Sequence, residues 1–160
     1  MDGSLDGRGE ATMAEAMGLT EELGGAIAGI AEGELKAGRT DAARIILEGL
    51  VVTNPRDARG WILLARTHRS LGQPLAARFC AEVAGILAPG EPAAQLARAE
   101  GLLPFPEDRA RGLELLERLA EGEGPVAERA AALRTAAGAW RSGSAQRGTP
   151  DGQESCPPQP

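Results

Sequence analysis

Apolar residues recur at intervals of three and four along most of the chain, which is the spacing of one face of an α-helix. The clearest stretch lies near the end, where Val126, Ala130, Leu133, Ala137 and Trp140 follow one another at these intervals. Alanine, leucine, glutamate and arginine, which favour helix, are abundant, whereas β-branched residues are scarce. The pattern therefore predicts an all-α fold.

Changes in composition divide the chain into three parts. Residues 1–9 contain three glycines and no apolar periodicity, and residues 143–160 are rich in Gly, Ser, Pro and Gln. Both stretches are expected to be disordered. Between them, residues 10–18 are predicted to form a short helix, and Thr20 is expected to be the N-cap of a longer one. One folded domain, residues 10–142, is therefore predicted.

Residues 24–57 match residues 58–91 when the two stretches are aligned position by position. The matches join small, turn and apolar residues, namely Ala31 with Ala65, Gly38 with Gly72, Ala43 with Ala77, Pro55 with Pro89, Ile27 with Trp61, Ile45 with Phe79 and Val52 with Ile86. The distance between matching positions, about 34 residues, is the period of a tetratricopeptide unit, which is a pair of antiparallel helices. The repeat predicts stacked helix hairpins.

The recurring positions have separate physical roles in such a hairpin. Gly38 and its counterpart end the first helix, because glycine enters the left-handed conformation at little cost. Thr40 is expected to cap the second helix of the hairpin. Pro55 and its counterpart stop that second helix and begin the turn to the next unit.

A third unit starts near residue 92 but departs from the pattern. Ala99 matches the small residue of the earlier units, whereas residues 104–106, Pro-Phe-Pro, replace the glycine turn. The helix that follows fits best if this loop is one residue longer. A last helix from Pro125 to about residue 141 is predicted to cap the stack. The predicted fold is an all-α tetratricopeptide-repeat solenoid of about three helix hairpins with a C-terminal capping helix; a plain helical bundle is the alternative.

The composition sets limits on the core and on the partners. Hydrophobic residues make up 42% of the chain, but many are alanines and only four side chains are aromatic. This suits closely packed helices rather than a thick core. The net charge is −6, with 23 acidic and 17 basic residues. Such a balance implies no basic face large enough for nucleic acid.

The ends of the chain and its cysteines indicate the compartment. The first ten residues are acidic where a secretory signal needs basic and apolar ones, and no run approaches the ~18 apolar residues of a membrane span. Cys80 and Cys156 lie in unlike contexts, so a structural disulfide is not expected. A cytoplasmic protein without membrane insertion is predicted.

The sequence carries no recognisable catalytic pattern. His68 is the single histidine and stands where a side chain packs between the two helices of a unit. Cys80 is expected to be a small core residue, and Cys156 an exposed thiol of the tail. Neither metal-ligand spacing nor a Walker-type phosphate loop is present. We therefore predict no enzymatic activity, no cofactor and no metal.

In stacked hairpins the first helices line a concave groove, and their exposed residues are the candidates for binding a polypeptide. Arginines in such a groove can contact carbonyl or carboxylate groups of the bound chain. By helical spacing the groove residues are predicted to be Ala28, Glu32, Leu35 and Lys36 in the first unit, Arg59, Ile62, Arg66 and Arg69 in the second, and Ala93, Leu96, Glu100 and Leu103 in the third.

Residues 33–87, which run from GELKAGRTDAARIILEGL to QPLAARFCAEVAGIL, resemble the tetratricopeptide chaperones of type III secretion systems. They are most similar to the class II members, which hold translocator proteins. The resemblance covers about residues 20–138, and a short acidic helix before the first unit is similar as well.

The resemblance implies a function and a partner. The concave groove would hold an extended segment of a secreted, pore-forming translocator and keep it soluble before secretion, and the family lacks enzymatic activity. The short N-terminal helix implies a homodimer, since this helix can mediate dimerisation in that family. Two alternatives stay open: a chaperone of needle subunits, and a tetratricopeptide scaffold or adaptor in a bacterial assembly.

Overall fold

The computed structural model describes residues 12–18 and 20–145. These residues form eight α-helices and no strand. The helices are α1 (Met13–Ala16), α2 (Glu21–Lys36), α3 (Thr40–Thr53), α4 (Ala58–Ser70), α5 (Pro74–Leu87), α6 (Pro92–Leu102), α7 (Arg109–Ala120) and α8 (Pro125–Ala145). Helices α2/α3, α4/α5 and α6/α7 are three successive hairpins and α8 follows them, so the predicted fold class is confirmed.

The hairpins stack into two layers. The inner helices α2, α4, α6 and α8 contact one another in succession, and each outer helix, α3, α5 or α7, packs between two of them. No two outer helices come into contact within the described residues. The stack is therefore tighter on the inner side, and the inner helices lie on its concave face, as in other helical-repeat proteins.

The two glycine turns have the same backbone geometry. Gly38 and Gly72 have φ of +77° and +69°. In the first turn, the amide of Arg39 donates to the carbonyl of Glu34 and the amide of Gly38 donates to that of Leu35, which is the Schellman pattern. The second turn repeats both hydrogen bonds at the equivalent positions of the next unit.

The expected cap at Thr40 is wrong. Helix α3 begins at Thr40 itself, and its N-cap is Arg39, whose side chain makes no capping hydrogen bond. The reason is the tightness of the glycine turn, since Arg39 both closes the Schellman motif of α2 and precedes the first residue of α3. Thr20, in contrast, caps α2 as predicted, because its Oγ1 accepts from the amide of Leu23 at 3.3 Å.

Small residues stand where the helices approach most closely. Ala31, Ala65 and Ala99 recur on the inner helices and are no more than 4% exposed. Gly112 on α7 stands at a close approach of backbone: a Cβ atom there would lie 3.1 Å from the carbonyl oxygen of Ala99. The recurrence of small residues at these positions is thus explained by the close approach of the helices.

The turns between hairpins share one hydrogen bond. Trp61 Nε1 donates to the carbonyl oxygen of Pro55 at 2.8 Å, and in the next unit Gln95 Nε2 donates to that of Pro89 at 3.0 Å. Both prolines lie just after an outer helix, as predicted. An indole in one unit and an amide side chain in the next therefore donate the equivalent hydrogen bond.

The third hairpin has its own turn. Helix α7 begins at Arg109, one residue later than the repeat would place it, as the sequence predicted. Arg78 from α5 holds this turn, with its guanidinium carbon 4.9 Å from the centre of the Phe105 ring and an Nη1–Asp108 Oδ2 distance of 2.6 Å. Charge and ring contacts here replace the glycine turn of the first two hairpins.

The buried side chains form two clusters, one across the first two hairpins and one across the third hairpin and α8. Leu47 is fully buried in the first hairpin, and Leu102 and Leu116 are fully buried in the third. Burying a leucine is worth roughly 1.5–3 kcal/mol. Since most of the other buried hydrophobic residues are alanines, the buried leucines as a group carry much of the apolar stabilisation.

The domain boundaries remain predictions in part. Residues 1–9 and 146–160 lie outside the described residues, as do residues 10 and 11 of the predicted short helix. Helix α8 begins at Pro125, as predicted, but continues to Ala145, three residues into the stretch expected to be disordered. In the part of the chain that the structure describes, no helix is both long enough and apolar enough to cross a membrane.

Candidate peptide-binding groove

A cavity of about 450 Å³ opens on the inner side of α4, α6 and α8. Eight residues line it, and we call this surface the central groove: Ile62, Arg66, Arg69, Ala93, Leu96, Ala97, Glu100 and Arg129. Six of them were predicted from helical spacing, the exceptions being Ala97 and Arg129. The structure therefore brings the predicted residues of the second and third units, apart from Arg59 and Leu103, to one surface.

The predicted residues of the first hairpin lie elsewhere. Glu32 on α2 is half-buried and accepts ion pairs from Lys36 at 3.4 Å and from Arg59 of the next hairpin at 3.8 Å. Leu35 is half-buried and Lys36 is exposed. None of the four lines the central groove, so it is the second and third hairpins that form this cavity.

Two of the predicted groove residues are corrected. Ala28 is fully buried in the first core cluster with Ala31 and Leu47, so it presents no surface to a partner. Ala28 and Ala31 are the buried residues of α2, a helix that packs against both α3 and α4. Leu103 is the C-cap of α6 and keeps helical backbone angles, but its side chain packs half-buried against the second cluster and does not line the central groove.

Arg59 borders a different, more polar cavity of about 770 Å³ near the start of the chain. Four acidic residues line this cavity together with Arg59 and Arg56, namely Glu15, Glu21, Glu22 and Asp57. This cavity, between α1, the start of α2 and the turn into α4, is therefore lined by more acidic than basic side chains.

The charge at the central groove has the opposite sign. Glu100 is the single acidic residue of this surface, and its side chain is 10% exposed. It pairs with Arg69 Nη1, and Arg129 Nε of α8 donates to its second oxygen at 3.2 Å. Arg66 is exposed and makes no ion pair with a described side chain. Three guanidinium groups thus face one carboxylate.

Burial also affects Arg69. Its pKa is lowered, chiefly because the guanidinium is removed from water and also because the positive charges of Arg129 and Arg66 lie close to it. The ion pair with Glu100 does not cancel these effects. Arginine remains charged at neutral pH even so, which means that the repulsion between these cations persists in the folded protein.

A second, smaller cavity of about 310 Å³ adjoins the central groove. Small and apolar residues line most of it: Ala65, Gly72, Pro74, Ala77, Ala97, Gly101 and Pro104. Arg69 and Glu100 complete the lining, so both of these residues, with Ala97, belong to the two cavities at once. We call it the small-residue cavity.

Neither His68 nor Cys80 lines any of the three cavities described above. His68 is half-buried, and its Nδ1 lies 2.7 Å from Gln73 Oε1 across the second glycine turn. Cys80 is 3% exposed within the first core cluster, as predicted, and burial raises the pKa of its thiol to about 11. Their surroundings explain these residues as packing elements.

Sequence reasoning missed two features of the surface. Arg129 was not among the predicted groove residues, and only the contact between α6 and α8 brings it to Glu100. Apolar side chains also recur on the outside of the stack, where Ile45, Val52, Phe79 and Ile86 are 63–76% exposed. The repeat alignment paired these four residues but could not say which way they point.

The fold defines a helical-repeat protein of the tetratricopeptide type with a groove on its inner helices. No protein-family model and no curated protein sequence matches the chain. Solved structures do match. The translocator chaperone SycD of Yersinia enterocolitica has a TM-score of 0.67 and 19% identity, covering 80% of this chain and 99% of that chain.

Two further matches are complexes. A T3SS complex from Aeromonas hydrophila has a TM-score of 0.69 and 21% identity, over 82% of this chain and 91% of that chain. PcrH in complex with the chaperone binding region of PopD has a TM-score of 0.65 and 24% identity, over 78% and 97%. The chain therefore has the fold of the type III secretion translocator chaperones, and the resemblance found in the sequence is confirmed at that level.

Proposed function

We propose that this protein is a chaperone that holds a secreted, translocator-type polypeptide in its central groove before type III secretion. The observation that carries the proposal is the groove itself, which lies on the inner helices of a fold shared with PcrH in complex with the chaperone binding region of PopD. Ile62 and Leu96 supply partly buried apolar walls, and the small side chains of Ala93 and Ala97 leave room between them.

The chaperone acts without enzymatic activity and in the cytoplasm. The ionisable side chains of the central groove are three arginines and one paired glutamate, which offer a bound chain charge but no nucleophile. Cys80 is a free, buried thiol, in keeping with a reducing compartment.

The short helix α1 supports self-association. Met13 and Met17 are 53% and 64% exposed, although α1 packs against α3. Apolar side chains at such a position stabilise a homodimer when a second copy covers them. Sedimentation of the Met13→Lys/Met17→Lys variant tests this part of the proposal: it should be monomeric at concentrations where the wild type is dimeric.

Co-expression tests the main proposal. The chain is produced with the products of neighbouring genes, and a client is recognised as a polypeptide that is insoluble alone and soluble in a stoichiometric complex. Ile62→Glu and Leu96→Glu, which place a carboxylate on the apolar walls, should abolish the complex. Ile86→Glu on the outer face is the matched control, since it adds the same charge at an exposed isoleucine. A complex that survives both groove substitutions contradicts the proposal.

A scaffold or adaptor is the second candidate, and the exposed apolar residues of the outer helices favour it. An adaptor must contact two components, so it needs a second surface besides the groove. In the same experiment, an adaptor would lose one component with Ile86→Glu and retain another. A chaperone loses its client with the groove variants only.

A further inference from the structure

The arginines of the central groove have too few acidic partners. Arg66, Arg69 and Arg129 converge on this surface, and Glu100 alone balances them, in a protein whose net charge is −6. Resting on the proposed function, we propose that the segment bound there carries an acidic side chain within two residues of a large aliphatic one. The carboxylate pairs with Arg66 and Arg129, and the aliphatic side chain enters the small-residue cavity.

The position of the charges supports the acidic half of this motif. Glu100 already accepts from Arg69 and from Arg129, and Arg66 has no ion pair among the described side chains. An incoming carboxylate would therefore find donors that the protein does not use fully. Arg66 is exposed and the Arg129 side chain is 54% exposed, so both can reach a ligand without disturbing the core.

The repulsion among the arginines gives the carboxylate an energetic role. Arg66 and Arg129 both act unfavourably on the half-buried guanidinium of Arg69. A second negative charge on this surface would offset that repulsion, and hydrogen bonds between charged groups are among the stronger ones in proteins. A neutral or basic segment would leave the repulsion in place.

The adjoining cavity supports the aliphatic half. Its lining by Ala65, Ala77 and Gly101 leaves about 310 Å³ that no side chain of the described residues fills. Because Arg69, Ala97 and Glu100 border both cavities, a segment seated on the arginines passes the mouth of the smaller one. In an extended chain, alternate side chains point to the same side about 7 Å apart. The two anchors therefore belong close together in sequence.

The polar cavity beside the first hairpin offers an acidic segment no comparable site. Glu15, Glu21 and Glu22 line that cavity, whereas the arginines converge on the central groove. An acidic side chain would be repelled at the polar cavity and attracted to the arginines. The charge distribution thus favours the central groove as the place where the acidic residue of the segment binds.

Selection from a library of random peptides displayed on phage tests this motif on the full chain. Wild-type protein should enrich peptides with Asp or Glu within two residues of Leu, Ile or Met. The Arg66→Ala/Arg129→Ala variant should lose that enrichment. Arg134→Ala is the matched control, since it removes an exposed arginine of α8 that borders neither cavity, and it should keep the enrichment.

The tightest-binding selected peptide then shows whether the double-alanine variant has lost one contact or its fold. Replacing its acidic residue by the matching amide should weaken binding to wild type about tenfold in fluorescence anisotropy at low salt, and should hardly change the remaining binding to the double-alanine variant. Such a cycle isolates the contact. If the double-alanine variant weakened the binding of the acidic peptide and of its amide version equally, the proposed contact would be overturned.

The other outcomes distinguish the two proposals. Peptides that need Ile62 and Leu96 but carry no acidic residue overturn the acidic motif and leave the chaperone proposal standing. If no selected peptide depends on Ile62 or Leu96, both proposals fail.

Discussion

Arg39 donates from Nη2 to Glu34 Oε1 at 2.8 Å across the first glycine turn. His68 and Gln73 stand at the same two places in the second hairpin, with 2.7 Å between Nδ1 and Oε1. A carboxylate–guanidinium ion pair and an imidazole–amide hydrogen bond thus occupy equivalent positions. The shared backbone hydrogen bonds of the turn, rather than the side chains, determine its geometry.

This equivalence predicts that the turn glycines matter more than the side-chain pairs. Replacing Gly38 or Gly72 by alanine forces a Cβ atom into the left-handed conformation, which costs roughly 1–2 kcal/mol. Each variant should therefore lower the free energy of unfolding by about that amount. Urea unfolding followed by circular dichroism measures the change.

Gly29→Ala is the matched control for these variants. Gly29 lies inside α2, and no atom comes within 4 Å of a Cβ placed there. Alanine favours helix over glycine by about 1 kcal/mol, so this variant should be more stable than wild type. Equal destabilisation at Gly29 and Gly38 would show that the left-handed turn is not the cause.

The pair across the first turn predicts the titration of Glu34. Its pKa is lowered, chiefly by the hydrogen bond from Arg39. The stabilising effect is therefore present above the unfolded pKa of the carboxyl and is lost as the pH falls through the lower, folded value. Carbon-13 NMR of the Glu34 carboxyl should show a midpoint below that of ordinary glutamates, and Arg39→Ala should raise it. An unchanged midpoint in the variant would contradict the pairing.

The fold could be predicted from the sequence because the residues that recur in each unit meet requirements of backbone conformation or of side-chain size. Gly38, Ala31 and Pro55 each perform a task that few other residues can perform, so their recurrence defined the hairpins. Even the one-residue shift before Arg109 was visible, since the third unit matches only with that shift.

The groove was harder to predict because it depends on how far neighbouring helices bury each other. Ala28 has the right helical spacing but lies in the core, and Leu103, at the C-cap of α6, packs against the second cluster. Arg129 reaches Glu100 across a contact between helices that are two elements apart. Helical spacing within one segment contains no information about such contacts.

Burial of Cys80 predicts that its thiol is unreactive in the folded protein. With a pKa of about 11, the reactive thiolate is scarce at neutral pH, and the side chain is 3% exposed. In the Cys156→Ser variant, where Cys80 is the remaining thiol, modification by a chromogenic disulfide reagent should require unfolding. The rate should rise with urea along the unfolding transition; fast labelling without denaturant would contradict the burial.

The close approach at Gly112 predicts that the third hairpin accepts no larger residue there. A Cβ atom would lie 3.1 Å from the Ala99 carbonyl oxygen and 3.2 Å from the Leu102 Cβ, both in the helix against which α7 packs. Gly112→Val should therefore push α7 away from α6 and lower the free energy of unfolding by about 1–3 kcal/mol, which urea unfolding would measure.

Gly49→Val provides the matched comparison for Gly112→Val. Gly49 on α3 has no atom within 4 Å of a Cβ placed on its backbone, and the equivalent position of the second hairpin already holds Val83. The same substitution should thus leave stability within about 0.5 kcal/mol there, since valine and glycine differ little in helix propensity. If the two valine variants lost equal stability, the loss would come from helix propensity and not from contact between α6 and α7.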